Sequence, residues 1–439
     1  MDEGLFCILF YEGAVEMTAS KEKITLDYQR MSESAQHERL DHFLSRLNIR
    51  REVKSFSKQN IPIETIKNAI KAAGTSPSGA NQQPWSFVLV SDPKVKTQII
   101  NEVRSKSTTL EEAPYMVVLL KQKYGRKITE SGECHKVKHY YPNESVGICG
   151  GFFITALNQA GLHYNLHQPV KSLSEILDRP ENEEPYMLFS IGIADEWEDK
   201  KHNIQQDLIH FDFVEEHVEY KSFDKYSQVS SPPLSAEDYY YSIKKRRNVR
   251  DFSQEEIPAS LLAKAFQALY SSPFPDSYRF EIVSDEKIKA LIREKAEEEE
   301  KKFYQEKITN EWRDVLKPLG TNWEKSHLTD APYLIIGFKV MNDMVQDPLY
   351  PGKNRPIVSS AVNTGILMSA IHHANLCMLT HTPSPMVFLR DLLNRPKNEV
   401  PIVVIPAGYP ADNCQVPDIS KKPLEDIITT LTESEGEPS

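Results

Sequence analysis

The chain has 439 residues, 40% of them hydrophobic and 26% charged, and a net charge of −11. That length leaves room for two domains, each able to bury its own core. An acidic balance of this size argues against a nucleic-acid surface, which needs a basic stripe, although it leaves room for a local phosphate pocket.

Residues 1–40 read as a polar N-terminal extension. Their one apolar run, residues 5–11, fits a stray strand or a disordered tail. It is far shorter than the roughly 20 residues that span a bilayer, and acidic residues precede it. Neither a membrane anchor nor a signal peptide is therefore expected. Cys7, Cys134, Cys149, Cys377 and Cys414 contain no CxxC pair and are odd in number. They read as reduced thiols of a cytoplasmic protein, not as a disulfide framework or a zinc site.

From residue 41 the chain carries one module twice. RREVKSFS at 50–57 returns as RRNVRDFS at 246–253, 196 residues later, and Ile61-Pro62 returns as Ile257-Pro258. A period this long marks a duplicated domain, not a solenoid. The first copy is expected over 41–195, an acidic connector over 196–239, the second copy over 240–428 and a disordered tail over 429–439. Helical spacing at 66–73 and 261–270 is followed by short β-rich runs at 86–92 and 279–285. Apolar strands at 113–121 and 331–339 come next, then long apolar helices at 145–160 and 359–374. Matching turns, ILDRP and LLNRP, lead to closing strands at 187–192 and 402–408. Helices and strands mix without strict alternation, so the expected class is α+β, a mixed sheet flanked by helices in each copy. The VSD turns lie 193 residues apart and the Ala-Pro pairs 218, so the second copy has 25 residues that the first lacks.

Five motifs carry candidate chemistry. Arg246, Arg247, Asn248, Val249 and Arg250 place three guanidiniums in five residues, suited to clamping a phosphate; a solvated basic turn fits them too. The first copy has Arg50 and Arg51 but then Glu52, unfavourable beside an anion. Ser78, Gly79 and Ala80 belong to GTSPSGANQQPW at 74–85, small residues that let backbone approach a planar ligand, or simply a tight helix-to-strand loop. The 25-residue insertion holds Glu300 and Tyr304 on one helical face, with Lys325 beyond. Together these suit a zwitterion, or form a charged surface helix. Thr380, His381 and Thr382 follow the second long helix, with His381 alone more simply structural. Lys421 and Lys422 end the fold and say little by themselves.

In this order the motifs resemble the iodotyrosine deiodinase family of the nitroreductase superfamily, over about 46–194 and 240–428. The resemblance implies two tandem nitroreductase-like domains forming an intrachain pseudo-dimer, FMN as cofactor, and reductive dehalogenation of halotyrosines. It implies FMN contacts at Arg246, Arg247, Asn248, Val249, Arg250, Ser78, Gly79, Thr380, His381, Thr382 and Lys421. Thr382 would bond the flavin N5 and so favour one-electron chemistry. Substrate contacts are implied at Ala80, through its amide, and at Glu300, Tyr304 and Lys325. Lys421 stands where the family has Arg, His381 where it has Thr, and Ser384-Pro385 where it has Leu-Asn. These departures leave open a broader nitro- or quinone reductase, or a flavin-binding pseudoenzyme. Neither copy has a GxGxxG, so electrons would come from NADPH bound transiently or from a separate reductase. The first copy's small-residue loop would complete the second copy's site, giving one active centre per chain.

Overall fold

The computed structural model describes residues 23–47, 52–103, 107–128, 132–198, 209–212, 234–274, 278–341, 355–383 and 385–433. The apolar run at 5–11, Arg50, Arg51 and Ser384 lie outside the described residues.

Two five-stranded sheets share one strand order. In the first, Ile428–Leu431, Trp85–Val90, Tyr115–Gln122, Glu183–Gly192 and His163–His167 lie side by side. In the second the order is Ile209–Asp212, Tyr278–Val283, Tyr333–Val340, Glu399–Gly408 and Cys377–Met378. In both sheets the first pair is parallel and the remaining pairs are antiparallel. Even the irregularities repeat: the register shifts between Leu119 and Leu120 in one sheet and between Gly337 and Phe338 in the other. The ILDRP and LLNRP turns each put a short polar residue at positive φ, Asp178 at 48° and Asn394 at 52°. Asn and Asp tolerate that region best among residues with a side chain. The next residue then pairs forward, Arg179 with Glu183 and Arg395 with Glu399, both at 2.8 Å.

The edge strands are exchanged. Ile209–Asp212 follows the first copy in sequence but extends the second copy's sheet, and Ile428–Leu431 follows the second copy but extends the first. This corrects the expected disordered tail and adds elements to two other segments. Residues 429–431 form a strand, not a disordered tail; the connector supplies a strand; and the extension contains Lys23–Thr25, paired with Gln415–Pro417, and the start of the helix Glu33–Leu47. Runs of three or four residues carry too little periodicity to read, and these pair because an open sheet edge awaits them.

The long helices Pro142–Gln159 and Arg355–His373 pack on each other at the centre of the molecule. From Ser145 to Gln159 every residue is buried, as a helix enclosed on all sides requires. The crossing is close: a Cβ on Gly151 would fall 2.3 Å from the Val362 carbonyl oxygen, and one on Gly365 2.3 Å from that of Ile148. One apolar core, including Phe152 and Phe153 with Ile366 and Leu367, runs through both copies. Among the described residues no helix is long and apolar enough to cross a membrane.

Candidate active site

The first wall of the site is the loop after the helix Ile63–Gly74. Ala80, Asn81 and Gln83 all have positive φ, 49°, 55° and 49°. Each costs on the order of 1 kcal/mol in isolation, so the surroundings must hold them. They do. Lys421 Nζ donates to the Ser76 carbonyl at 2.6 Å and to Asn81 Oδ1 at 3.1 Å. Asn81 Nδ2 donates to the Ser420 carbonyl at 3.1 Å. The Lys422 amide donates to Gln83 Oε1 at 2.8 Å and its Nζ to the Gln83 carbonyl at 3.0 Å. Gly79 donates its amide to Ser145 Oγ at 3.1 Å, and a Cβ there would lie 2.2 Å from the Tyr140 carbonyl oxygen. Only glycine fits.

The second wall is the segment 246–250. Arg246 is buried and donates to Asn248 Oδ1 at 3.1 Å and to the Thr75 carbonyl at 3.3 Å, while its Nε has no partner among the described residues. Arg247 donates to the Pro417 carbonyl. Val249 packs in the core with Phe252, Ala331, Cys414 and Val416, so its side chain lies away from the cleft. Burial, then Arg247, lowers Arg246 to about 10. Lys421 is lowered to about 7, by burial first and then by Arg246. Three cations thus gather with neutral acceptors as their hydrogen-bond partners. Asp418 attracts Arg247, but Arg246 and Lys421 are desolvated like charges, which are costly without a counter-ion, and an anion at this point relieves them.

The third wall is the insertion. The helix Glu286–Lys302 runs into a wide turn, Phe303–Lys307, and the short helix Asn310–Leu316. Glu300 and Lys325 form an ion pair of 2.6 Å, their side chains 12% and 3% exposed. Burial opposes ionisation of both, raising Glu300 and lowering Lys325, and each charge restrains the other's shift. The Tyr304 hydroxyl donates to the Thr321 carbonyl at 3.4 Å. Trp312 stacks on Tyr140 of the first copy, centroids 3.9 Å apart and planes 19° apart, with Phe303 edge-on to Trp312 at 4.6 Å.

The fourth wall is residues 380–382, tied to the sheet by paired backbone bonds between His381 and Val404. His381 Nε2 lies 3.9 Å from Glu300 Oε1, and its ring sits 5.1 Å from that of His327. Burial holds His381 well below the ordinary histidine range and His327 at about 3, so both are neutral at physiological pH.

One cleft joins these walls. Ser78, Gly79 and Ala80 line it with Asn248, Arg250, Glu300, Tyr304, Lys325, Thr380, His381 and Thr382. Arg246, Arg247 and Lys421 are not in its lining; Arg246 and Lys421 bond the backbone of the 75–81 loop that forms its end. Sequence reasoning missed Tyr140, Tyr141, Glu144 and His327, which also line the cleft. The Tyr140-Tyr141 pair in a polar stretch just before a buried helix was a readable signal; His327 carried none.

The first copy's own equivalents are arranged differently. Glu52–Phe56 is a strand paired with Ala194–Glu198. His167 bonds Ser190 Oγ at 2.7 Å. Where the second copy would need a small-residue loop, Phe274 is buried and its carbonyl accepts from Asn363 Nδ2 at 3.1 Å.

The nitroreductase family model matches residues 47–193 and 243–409, more than half the chain. Iodotyrosine deiodinase of Haliscomenobacter hydrossis is 40% identical over 188 residues, covering 42% of this chain and 85% of that protein. Human iodotyrosine deiodinase 1 is 32% identical over 244 residues, covering 54% and 79%. Among solved structures, oxidized iodotyrosine deiodinase bound to FMN and 3-iodo-L-tyrosine is 28% identical, covers 46% of this chain and 97% of that one, and gives a TM-score of 0.35.

Proposed function

The chain belongs to the nitroreductase family, in its iodotyrosine deiodinase branch, and from that premise we propose that it is an FMN-dependent oxidoreductase removing halide reductively from iodotyrosine or related halotyrosines at one site between its two copies. The copies, 41–195 and 240–428, would act as an intrachain pseudo-dimer. Bound FMN would supply the electrons to the carbon–halogen bond. The unpartnered Arg246 Nε and the cluster of Arg246, Arg247 and Lys421 fit a phosphate at one end of the cleft. Asn248 and Arg250 would follow along the flavin, with Ser78 and Gly79 giving its ring close backbone approach. Thr382, whose hydroxyl has no hydrogen-bond partner among the described residues, would donate to the ring from beside Thr380 and His381.

The Glu300–Lys325 pair is complementary to a zwitterion. An amino-acid ligand would exchange partners with it, ammonium to Glu300 and carboxylate to Lys325, with Tyr304 adding a hydroxyl. The Ala80 amide would meet the phenolate, and the lid would exclude water from the stacked phenol. NADPH or a separate reductase would return the electrons.

The observation that carries this reading is that Ser78–Ala80 of the first copy and Glu300, Lys325 and Thr382 of the second line a single cleft. The first copy lacks the lid, and Glu52–Phe56, which follows its Arg-Arg pair in sequence, is a strand. The test is absorbance and turnover of the purified protein. The expected result is a yellow protein with one FMN per chain that releases iodide from 3-iodotyrosine under reducing conditions. A colourless protein that takes up no added FMN, or a stoichiometry of two, would overturn the corresponding part.

A further inference from the structure

The hairpin of Tyr124–Ile128 and Cys134–Lys138 forms a two-stranded sheet of its own, outside both five-stranded sheets. It is the basic exception in an acidic chain. Residues 123–138 carry Lys123, Arg126, Lys127, Lys136 and Lys138 against Glu130 and Glu133, in a protein of net charge −11. All five cations are exposed, and none forms an ion pair among the described residues; Glu133 lies 3.6 Å from His135.

The strand register makes this arrangement costly. Arg126 stands directly opposite Lys136, and Lys127 opposite His135, so neither pair contains a carboxylate. Like charges placed opposite each other destabilise a ribbon, and a two-stranded hairpin has little stability to spare. Strand alternation puts Arg126, Lys136 and Lys138 on one face with Tyr124. The Lys136 ammonium lies 4.5 Å from the Tyr124 ring centroid, which offsets part of the repulsion. An anionic partner relieves the rest.

The base of the hairpin is tied to the active-site cleft. Gln82 Nε2 donates to the Lys138 carbonyl at 2.8 Å, and Gln82 Oε1 accepts from the Tyr140 amide at 2.8 Å. Tyr140 and Ala80 both line the cleft, whereas none of the five cations does. A small anion is held in a concave site. Cations spread over an exposed ribbon instead steer and orient a macromolecule.

We propose that the face carrying Arg126, Lys136 and Lys138 docks an acidic one-electron carrier protein, which reduces the flavin across the adjoining cleft wall. This rests on the flavin-dependent activity proposed for the cleft. Neither copy has a GxGxxG, so delivery by a protein fits the sequence as well as the charge. Two reduced carriers each give one electron and leave oxidised, and the two electrons with two solvent protons convert FMN to FMNH2.

Biolayer interferometry on immobilised flavodoxin, and separately on an acidic iron–sulfur ferredoxin, tests the docking. Binding to at least one is expected at low ionic strength and should fade as salt rises. It should weaken about tenfold or more in the double variant Arg126→Gln with Lys136→Gln. That variant also removes a like-charge pair, so its thermal midpoint should not fall. Lys127→Gln, on the opposite face, is the control and should bind nearly as well as the native protein. In anaerobic stopped-flow, reduction of bound FMN by the reduced carrier should slow by the same factor in the double variant, while iodide release driven by excess dithionite stays unchanged. The proposal is overturned if neither carrier binds, if the double variant binds as well as the native protein, or if NADPH alone reduces the flavin faster than either carrier. Docking that persists in a protein without flavin leaves the surface standing and removes only the flavin-dependent activity.

Discussion

Tyr140 of the first copy and Trp312 of the second lie face to face, ring centroids 3.9 Å apart, and this stack fastens the lid across the junction between the copies. Removing either ring weakens the hold of the first copy on the lid that carries Glu300, Tyr304 and Lys325, a hold to which a side-chain hydrogen bond between Tyr140 and Thr309 also contributes. An aromatic pair is worth about 1 kcal/mol beyond its buried area. Tyr140→Ala and Trp312→Ala should therefore each raise KM for 3-iodotyrosine several-fold with a smaller change in kcat, while Tyr140→Phe, which keeps the stack and loses only the hydrogen bond to Thr309, should raise it less. Steady-state kinetics of iodide release measures this, and unchanged KM in both alanine variants would remove the stack from the lid's function.

Lys421 should make cofactor binding depend on pH. Its pKa falls from the ordinary 10.5 to about 7, through burial and then the charge of Arg246. Between these values the unfolded chain holds a proton that the folded chain does not, so this group's contribution to the stability of the flavin-free protein rises with pH. Anion binding runs the other way, because it favours the charged amine. The rise in thermal midpoint on adding FMN should thus be largest near pH 7 and shrink toward pH 9. Lys421→Met should show a smaller shift that is flat across this range. An equal shift at pH 7 and pH 9 in the native protein would count against Lys421 as an anion ligand.

Glu300 and Lys325 test the zwitterion assignment. Removing one partner of a buried pair costs about 3–5 kcal/mol, so Glu300→Gln should both lower the thermal midpoint and cut kcat/KM for 3-iodotyrosine, by roughly 10-fold or more given one lost charge-assisted contact. The double variant Glu300→Gln with Lys325→Met should regain stability without regaining turnover. Reduction of a nitroaromatic, which has no ammonium to place, should change little in the double variant. Equal loss on both substrates would assign the pair to the scaffold alone.

The repetition between the two copies makes much of this legible in the sequence itself. The central strands, the two long helices, the Ser78–Ala80 loop and the insertion carrying Glu300 and Tyr304 all stand out because each is either repeated or conspicuously absent from one copy. What could not be read depends on distant partners. Ile209–Asp212 and Ile428–Leu431 are strands only because each finds the other copy's open edge. Val249 reads as part of a basic motif, yet the Val249 amide is bonded to the Met378 carbonyl at 3.0 Å and its side chain is in the core. His327 enters the site solely through the packing of its short helix against His381.

The exchanged strand at the C-terminus makes a last prediction. Ile428–Leu431 runs parallel to Trp85–Val90, and just before it Ile427 is buried, its Cδ1 2.9 Å from where a Cβ on Gly74 would stand. The same terminal stretch delivers Lys421 and Lys422 to the 75–83 loop. Truncation after Ile427 keeps both lysines and the Ile427 contact but removes the strand. Trp85–Val90 then becomes an uncovered edge, and its outward amides lose their ladder. Hydrogen exchange should show protection lost at 87–92, including the Ser91 and Asp92 amides that bond the Leu431 carbonyl, with the 278–283 strand of the other sheet unaffected. FMN affinity should weaken modestly, because the loop anchored at Gly74 now rests on a frayed strand. Protection at 87–92 equal to that of the full chain would show that the first sheet does not need its borrowed edge.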